Sequence, residues 1–214
     1  MLEYYPIVTG PLGENCYIVW KEKSAWIIDP GADAEEIIAE LENRQLTPVA
    51  IVLTHGHFDH LGALDALLSH WPTLPVVMRE EEAEWAFTHP FNQYSPFYLH
   101  QKRPATLVFA TDTYSCGGLT AKLLHTPGHT PGGQCILFER EDGAPLCFTG
   151  DTLFKGSIGR TDLPGGSFLK LNASLKYLAE TLSPETTILA GHEEASTMEW
   201  ELKYNPYLRG EEEF

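Results

Sequence analysis

Four apolar runs in this chain each stop at a short turn that carries histidine or aspartate, and that repeated pattern limits the fold more than any other feature. Ile51-Val52-Leu53 leads into Thr54-His55-Gly56-His57-Phe58-Asp59-His60, and Leu123-Leu124 leads through Pro127-Gly128 to His129. Leu146-Cys147-Phe148 leads through Thr149-Gly150 to Asp151, and Ile188-Leu189-Ala190 through Gly191 to His192. Short apolar runs bounded by turn signals read as buried strands. Strands of one layered sheet that end on the same edge would gather these side chains into a single site. Imidazole nitrogen and carboxylate oxygen are donors suited to zinc and iron, and Gly56 lets the backbone turn so that neighbouring side chains converge. His70, His89, His100 and His125 lie outside this convergence and read as structural or surface residues.

Between these segments, strands and helices alternate. Cys16–Trp20 and Ala25–Ile28 flank the charged turn Lys21-Glu22-Lys23 and predict a hairpin. Asp33 followed by Glu36 has the form of a capping box, and Ile37, Ile38 and Leu41 give helical spacing over 34–43. Helical spacing recurs at Leu61, Leu64, Leu67 and Leu68, near Glu80–Phe87, and near Phe168–Leu182; further strands are expected at 49–53, 75–78, 119–124, 135–138, 146–149 and 187–190. The stretch 88–104, with Tyr94, Phe97 and Tyr98, predicts a long surface loop that lines a pocket or a subunit contact, or simply anchors itself. This order predicts an α/β fold with two sheets back to back and helices outside. One domain is expected over 1–210, with a frayed acidic tail at 211–214.

Composition narrows the function. A formal net charge of −16, with no Lys/Arg cluster, opposes nucleic-acid phosphates and anionic lipid, so neither partner is expected. Cys16, Cys116, Cys135 and Cys147 form no CxxC pair, which argues against a thiolate zinc site or a dithiol redox motif and for buried free thiols. The N-terminal MLEYYPIVTG lacks the basic and apolar stretches of an export signal, and no run reaches the ~18 apolar residues of a membrane span. A cytoplasmic protein is expected. An anionic substrate would need local cations against the global charge, and Lys155 and Arg160 are the candidates.

Together, HxHxDH at 55–60, TPGHTPG at 126–132, GDTLF at 150–154 and GH at 191–192 resemble the metallo-β-lactamase superfamily. GSIGRTDLPGG at 156–166 further resembles its short glyoxalase II-like, hydroxyacylglutathione hydrolase-like branch. The resemblance implies a four-layer αββα sandwich. It implies His55, His57 and His129 on one metal, Asp59, His60 and His192 on a second, and Asp151 bridging both. Two zinc ions are implied, with iron or manganese as alternatives. Asp29 resembles the aspartate that orients a ligand histidine. The implied activity is hydrolysis of a small acyl thioester, S-lactoylglutathione above all, by metal-activated water, with Asp59 also a catalytic proton acceptor and Lys155 and Arg160 as substrate contacts.

Two departures bear on the substrate. Longer members of the branch carry a C-terminal helical extension that contacts glutathione, whereas here Tyr204-Asn205-Pro206-Tyr207 follows soon after His192. Asp162 stands where those members have a substrate-binding aromatic, so altered glutathione recognition is implied. A competing resemblance, through Gly159-Arg160-Thr161-Asp162, is to mononuclear iron persulfide dioxygenases, which would use His55, His129 and Asp151. Leu163-Pro164-Gly165-Gly166 then departs from that group and favours the hydrolase. Oligomeric state is left open.

Overall fold

The computed structural model describes residues 1–89, 102–141 and 143–211. Tyr94, Phe97, Tyr98, His100 and residues 212–214 of the expected tail lie outside them. The first sheet sets β1 (Leu2–Thr9), β2 (Glu14–Lys21), β3 (Ser24–Ile28), β4 (Thr47–Val52), β5 (Val76–Met78) and β6 (Leu107–Phe109) side by side in chain order. The second contains β7 (Thr113–Cys116), β8 (Leu119–His125), β9 (Gln134–Phe138), β10 (Leu146–Gly150), β13 (Thr187–Ala190) and β14 (Ser196–Thr197), in the order β14-β13-β10-β9-β8-β7. A small hairpin, β11 (Leu153–Phe154) with β12 (Ser157–Ile158), follows the Asp151 turn.

Alternation along the strands builds the layers, because successive side chains point to opposite faces. From β2 and β3, Tyr17, Val19, Trp26 and Ile28 face inward and meet Ile136, Phe138, Phe148 and Leu189 of the second sheet. Their neighbours Ile18, Ala25 and Ile27 face outward and are covered by α1 (Ala34–Asn43) and α3 (Leu64–His70), through Ile37, Leu41, Leu64 and Leu67, and by α4 (Glu80–Thr88), through Ala83, Ala86 and Phe87. On the far side of the second sheet, Cys135, Leu137, Cys147 and Ile188 meet Leu171, Leu175 and Leu178 of α5 (Phe168–Thr181) and Met198 of α6 (Met198–Tyr204). The result is the expected four-layer αββα sandwich. Its four cysteines are free thiols, three of them buried. No helix among the described residues is long and apolar enough to cross a membrane.

Strand register delivers the ligand-type residues to one edge. β3 and β4 run parallel with Ile28 opposite Val52, so Asp29 and the Thr54-His55 turn leave the first sheet together. β10 and β13 are parallel with Gly150 opposite Ala190, so Asp151 and His192 leave the second sheet together. β8 and β9 close with His125 opposite Gln134, and their connecting loop carries His129.

The structure corrects two local expectations. Asp33 does not form a capping box: it lies in the left-handed region at φ 51°, and its carboxylate accepts a hydrogen bond from Gly10 N at 2.8 Å rather than capping α1. Asp59 and His60 lie not in a loop but in a short helix, α2 (Phe58–Leu61), separate from α3. The residues after His192 continue as β14 and α6. α5 does start at a capped serine, Ser167, whose hydroxyl accepts from Lys170 N at 3.4 Å. Ser167→Ala is expected to cost about 0.5–1 kcal/mol in denaturant unfolding, and an unchanged midpoint would show the cap to be idle.

Candidate metal centre

Three ring nitrogens crowd one point. His55 Nε2 lies 3.1 Å and His129 Nε2 2.7 Å from His57 Nδ1. The outer partners fix the proton positions. Thr54 Oγ1 donates to Asp29 Oδ2 at 2.5 Å, so it receives the Nδ1 proton of His55 at 3.0 Å. His129 Nδ1 donates to the Arg160 carbonyl at 2.7 Å. Both rings therefore turn a lone pair inward, and His57 Nδ1 can give a proton to at most one of them. That arrangement calls for a cation, and the outer hydrogen bonds are of the kind that orient metal-ligating histidines.

Asp59, His60 and His192 form a second donor set, with His192 Nε2 3.3 Å from Asp59 Oδ2. Asp151 lies between the sets. Its Oδ1 is 3.3 Å from His60 Nε2, and its Oδ2 is 3.5 Å from His129 Nε2 and 3.7 Å from His192 Nε2. His60 Nε2 and Asp151 Oδ1 are buried and make no hydrogen bond among the described residues despite their proximity. Buried polar atoms are rarely left so, and a shared metal accounts for both. The seven residues singled out in the sequence are thus brought together as two donor sets that fit a binuclear site.

Electrostatics of the metal-free protein agree with this geometry. Burial, reinforced by His129, pushes His57 down to about 3, and burial also lowers His55 and His129. These rings stay neutral, the form that binds metal. Burial opposes charge on His60 too, but Asp151 and Asp29 outweigh it and hold His60 well above its usual range. Burial likewise opposes charge on Asp151, yet His60, His129 and His55 keep it well below the usual carboxylate range.

Asp29 sits where the sequence placed it: its Oδ1 accepts Thr54 N at 2.7 Å, and its Oδ2 faces Thr54 Oγ1 and, at 3.1 Å, His60 Nδ1. Three further supports were not read from the sequence. Glu14, buried, accepts from Thr9 Oγ1 at 2.6 Å and lies 3.8 Å from His60 Nδ1. Asn15 grips the His192 loop, Nδ2 donating to Ala190 O at 3.1 Å and Glu193 O at 2.9 Å while its N–H reaches Gly191 O at 2.7 Å. Glu82 on α4 is buried, and burial pushes its carboxyl up to about 7 against N–H bonds from Gly56 and Gly132 that favour its charge. In sequence Glu14 and Asn15 precede an ordinary strand and Glu82 sits in an acidic run, so only the 82, 85, 86 spacing that places Glu82 on the face of Trp85 and Ala86 was a signal.

The centre floors a cavity of about 500 Å³, where His57, Asp59, His129, Asp151 and His192 meet apolar walls formed by Leu12, Phe58, Phe154, Ile158 and Leu163. Arg160 and Ser157 are at its rim. The two candidate cations differ in position. Arg160 lines the cavity but is paired with Asp162 through two bonds of 2.7 and 2.8 Å, whereas Lys155 is not among the lining residues and binds Glu194 at 2.8 Å.

Known proteins share this fold. Residues 9–192 match the sequence profile of the metallo-beta-lactamase superfamily. The hydroxyacylglutathione hydrolase GloC of Haemophilus influenzae is 35% identical over 204 residues, covering 91% of this chain and 92% of the relative. The crystal structure of the BLEG-1 B3 metallo-beta-lactamase superposes with a TM-score of 0.86 at 36% identity, covering 96% of this chain and 99% of that one. TTHA1623, solved in a di-iron-bound form, gives 0.78 at 35% identity, covering 95% and 100%. With its sandwich, its two His/Asp donor sets and this profile across most of its length, the chain belongs to the metallo-beta-lactamase superfamily and is a metal-dependent hydrolase.

Proposed function

We propose that the chain hydrolyses a small acyl thioester, with S-lactoylglutathione the favoured substrate, at a centre of two zinc ions; iron or manganese are the alternative metals. The observation that carries this reading is the pair of donor sets joined by Asp151 beneath an apolar-walled cavity. GloC, named a hydroxyacylglutathione hydrolase, supports the substrate class, and the di-iron form of TTHA1623 supports a two-metal centre. The reading places the reaction in the cytoplasm, where thiols are kept reduced.

When bound, two divalent metals supply Lewis acidity toward the carbonyl and bring a water's pKa down to about 7. His55, His57 and His129 would hold one, and Asp59, His60 and His192 the other. Asp151 joins the two sets and Asp29 keeps the His60 ring turned toward the centre. Asp59, at the cavity floor, would take the proton of the attacking water on the carboxylate oxygen not engaged by metal. The departing thiolate is a good leaving group and needs no protein acid. Leu12, Phe58 and Phe154 exclude bulk water from the acyl group. Arg160 offers a carboxylate of the thiol carrier a bidentate partner in exchange for Asp162.

A second reading, β-lactam hydrolysis, is favoured by the likeness to BLEG-1. The mononuclear iron dioxygenase is disfavoured by the second donor set, which such chemistry leaves unused. Elemental analysis of protein purified without added metal, combined with assays before and after chelation, tests all three. About two metal ions per chain and chelator-sensitive S-lactoylglutathione cleavage are expected. Cleavage of a chromogenic cephalosporin alone would move the assignment to the lactamase. About one iron, no thioester turnover and oxygen uptake with glutathione persulfide would move it to the dioxygenase.

A further inference from the structure

The carboxylate of Glu82 joins two ligand loops that belong to different sheets. Its Oε1 accepts Gly56 N at 2.7 Å, between His55 and His57 on the loop that leaves β4. Its Oε2 accepts Gly132 N at 2.7 Å, three residues beyond His129 on the loop between β8 and β9. The helix carrying it presses against the same two positions. A Cβ on Gly56 would lie 2.3 Å from Ala86 Cβ, and one on Gly132 would lie 2.5 Å from the Glu82 backbone nitrogen. One turn further along α4, the Trp85 ring meets the His57 ring edge-on at 5.0 Å. The opposite face of α4 is fixed in the outer core by Ala83 and Phe87.

From this geometry we propose that Glu82 is a positioning residue for the His55–His57–His129 donor set: it sets the separation between the two loops and so the convergence of His57 Nδ1 with His129 Nε2. Glu82 touches neither metal nor substrate and acts through Gly56 and Gly132. Two oxygens accepting two backbone N–H groups is a task for a carboxylate. Glutamine keeps the size, but its amide nitrogen cannot accept, so it would confront one N–H with another donor. Outer residues that orient metal-binding side chains commonly change affinity by about 10–100-fold.

The proposal rests on the two-metal reading, and the test separates the two. Metal-free full-length wild type, Glu82→Gln, Glu82→Asp and Glu84→Gln are titrated with Zn(II) against a chromogenic chelator, and thermal midpoints are recorded without metal. Glu84, exposed on the same helix, is the control. One of the two zinc ions is expected to bind about 10–100-fold more weakly to Glu82→Gln, with the other zinc and the metal-free midpoint close to wild type. Glu82→Asp, which keeps two acceptors on a shorter reach, should recover part of the loss. Unchanged affinity for both ions, or equal weakening of both together with a lower metal-free midpoint, would overturn the proposal. Should Glu82→Gln fail to fold, Gly132→Ala displaces the same helix while retaining the carboxylate, and its zinc titration is read against the same outcomes. Wild type that binds no zinc would instead remove the two-metal reading itself.

Discussion

Asp151→Asn is expected to lower kcat/KM for the proposed thioester substrate by roughly a thousand-fold or more, the scale seen when a group that organises developing charge is removed. The amide keeps the shape of the side chain, so the fold should survive. What it loses is a negative charge that faces His60 at 3.3 Å, His129 at 3.5 Å and His192 at 3.7 Å. No other carboxylate among the described residues lies between both donor sets, so neither Asp59 nor Asp29 can substitute. Metal content measured beside turnover should fall below two per chain. A variant that holds two metals and turns over like wild type would refute the bridging role of Asp151.

Asp29→Ala is expected to have the second largest effect, this time on stability as well as metal affinity. The change leaves Thr54 N and the His60 ring without their buried acceptor, a loss of about 3–5 kcal/mol where one partner of a buried charged pair is removed. Backbone strain adds to it, because Asp29 has φ 48°, which aspartate and asparagine tolerate and alanine does not. Asp29→Asn separates the contributions: it keeps the backbone preference and one acceptor while losing the charge. Chemical denaturation of the metal-free variants should place Ala well below Asn. If alanine unfolds at the wild-type midpoint, Asp29 is an ordinary turn residue.

What the sequence disclosed and what it hid follow from the same physics. Strands buried on both faces, such as β3 and β9, announce themselves as apolar runs, and the turns that end them carry histidine and aspartate, so the sandwich and the convergence of these side chains at one edge were legible. β1 was missed because it is an edge strand, largely exposed and containing Pro6, and so has neither an apolar run nor clean alternation. The Asp33-Glu36 signal misled because Gly10, distant in sequence, claimed the carboxylate. Arg160 and Lys155 were legible as cations but not as partners of Asp162 and Glu194. Glu82 and Glu14 were hidden for one reason: an acid, whether alone or in a run, reads as solvated until the fold shows which face it is on.

The grip of Asn15 on the His192 loop has a consequence for how the protein matures. Its hydrogen bonds to Ala190 and Glu193 join residues 175 and 178 positions apart. Contacts of such separation form late, since the entropy of closing a long loop must be spent before they return anything, while hairpins such as β2–β3 and β8–β9 close locally. The β2–β3 and β8–β9 hairpins therefore precede the convergence of the donors. A chain caught part-way has native hairpins and scattered histidines, able to bind a metal with the wrong partners. Correct loading of the proposed metal centre would accordingly follow folding.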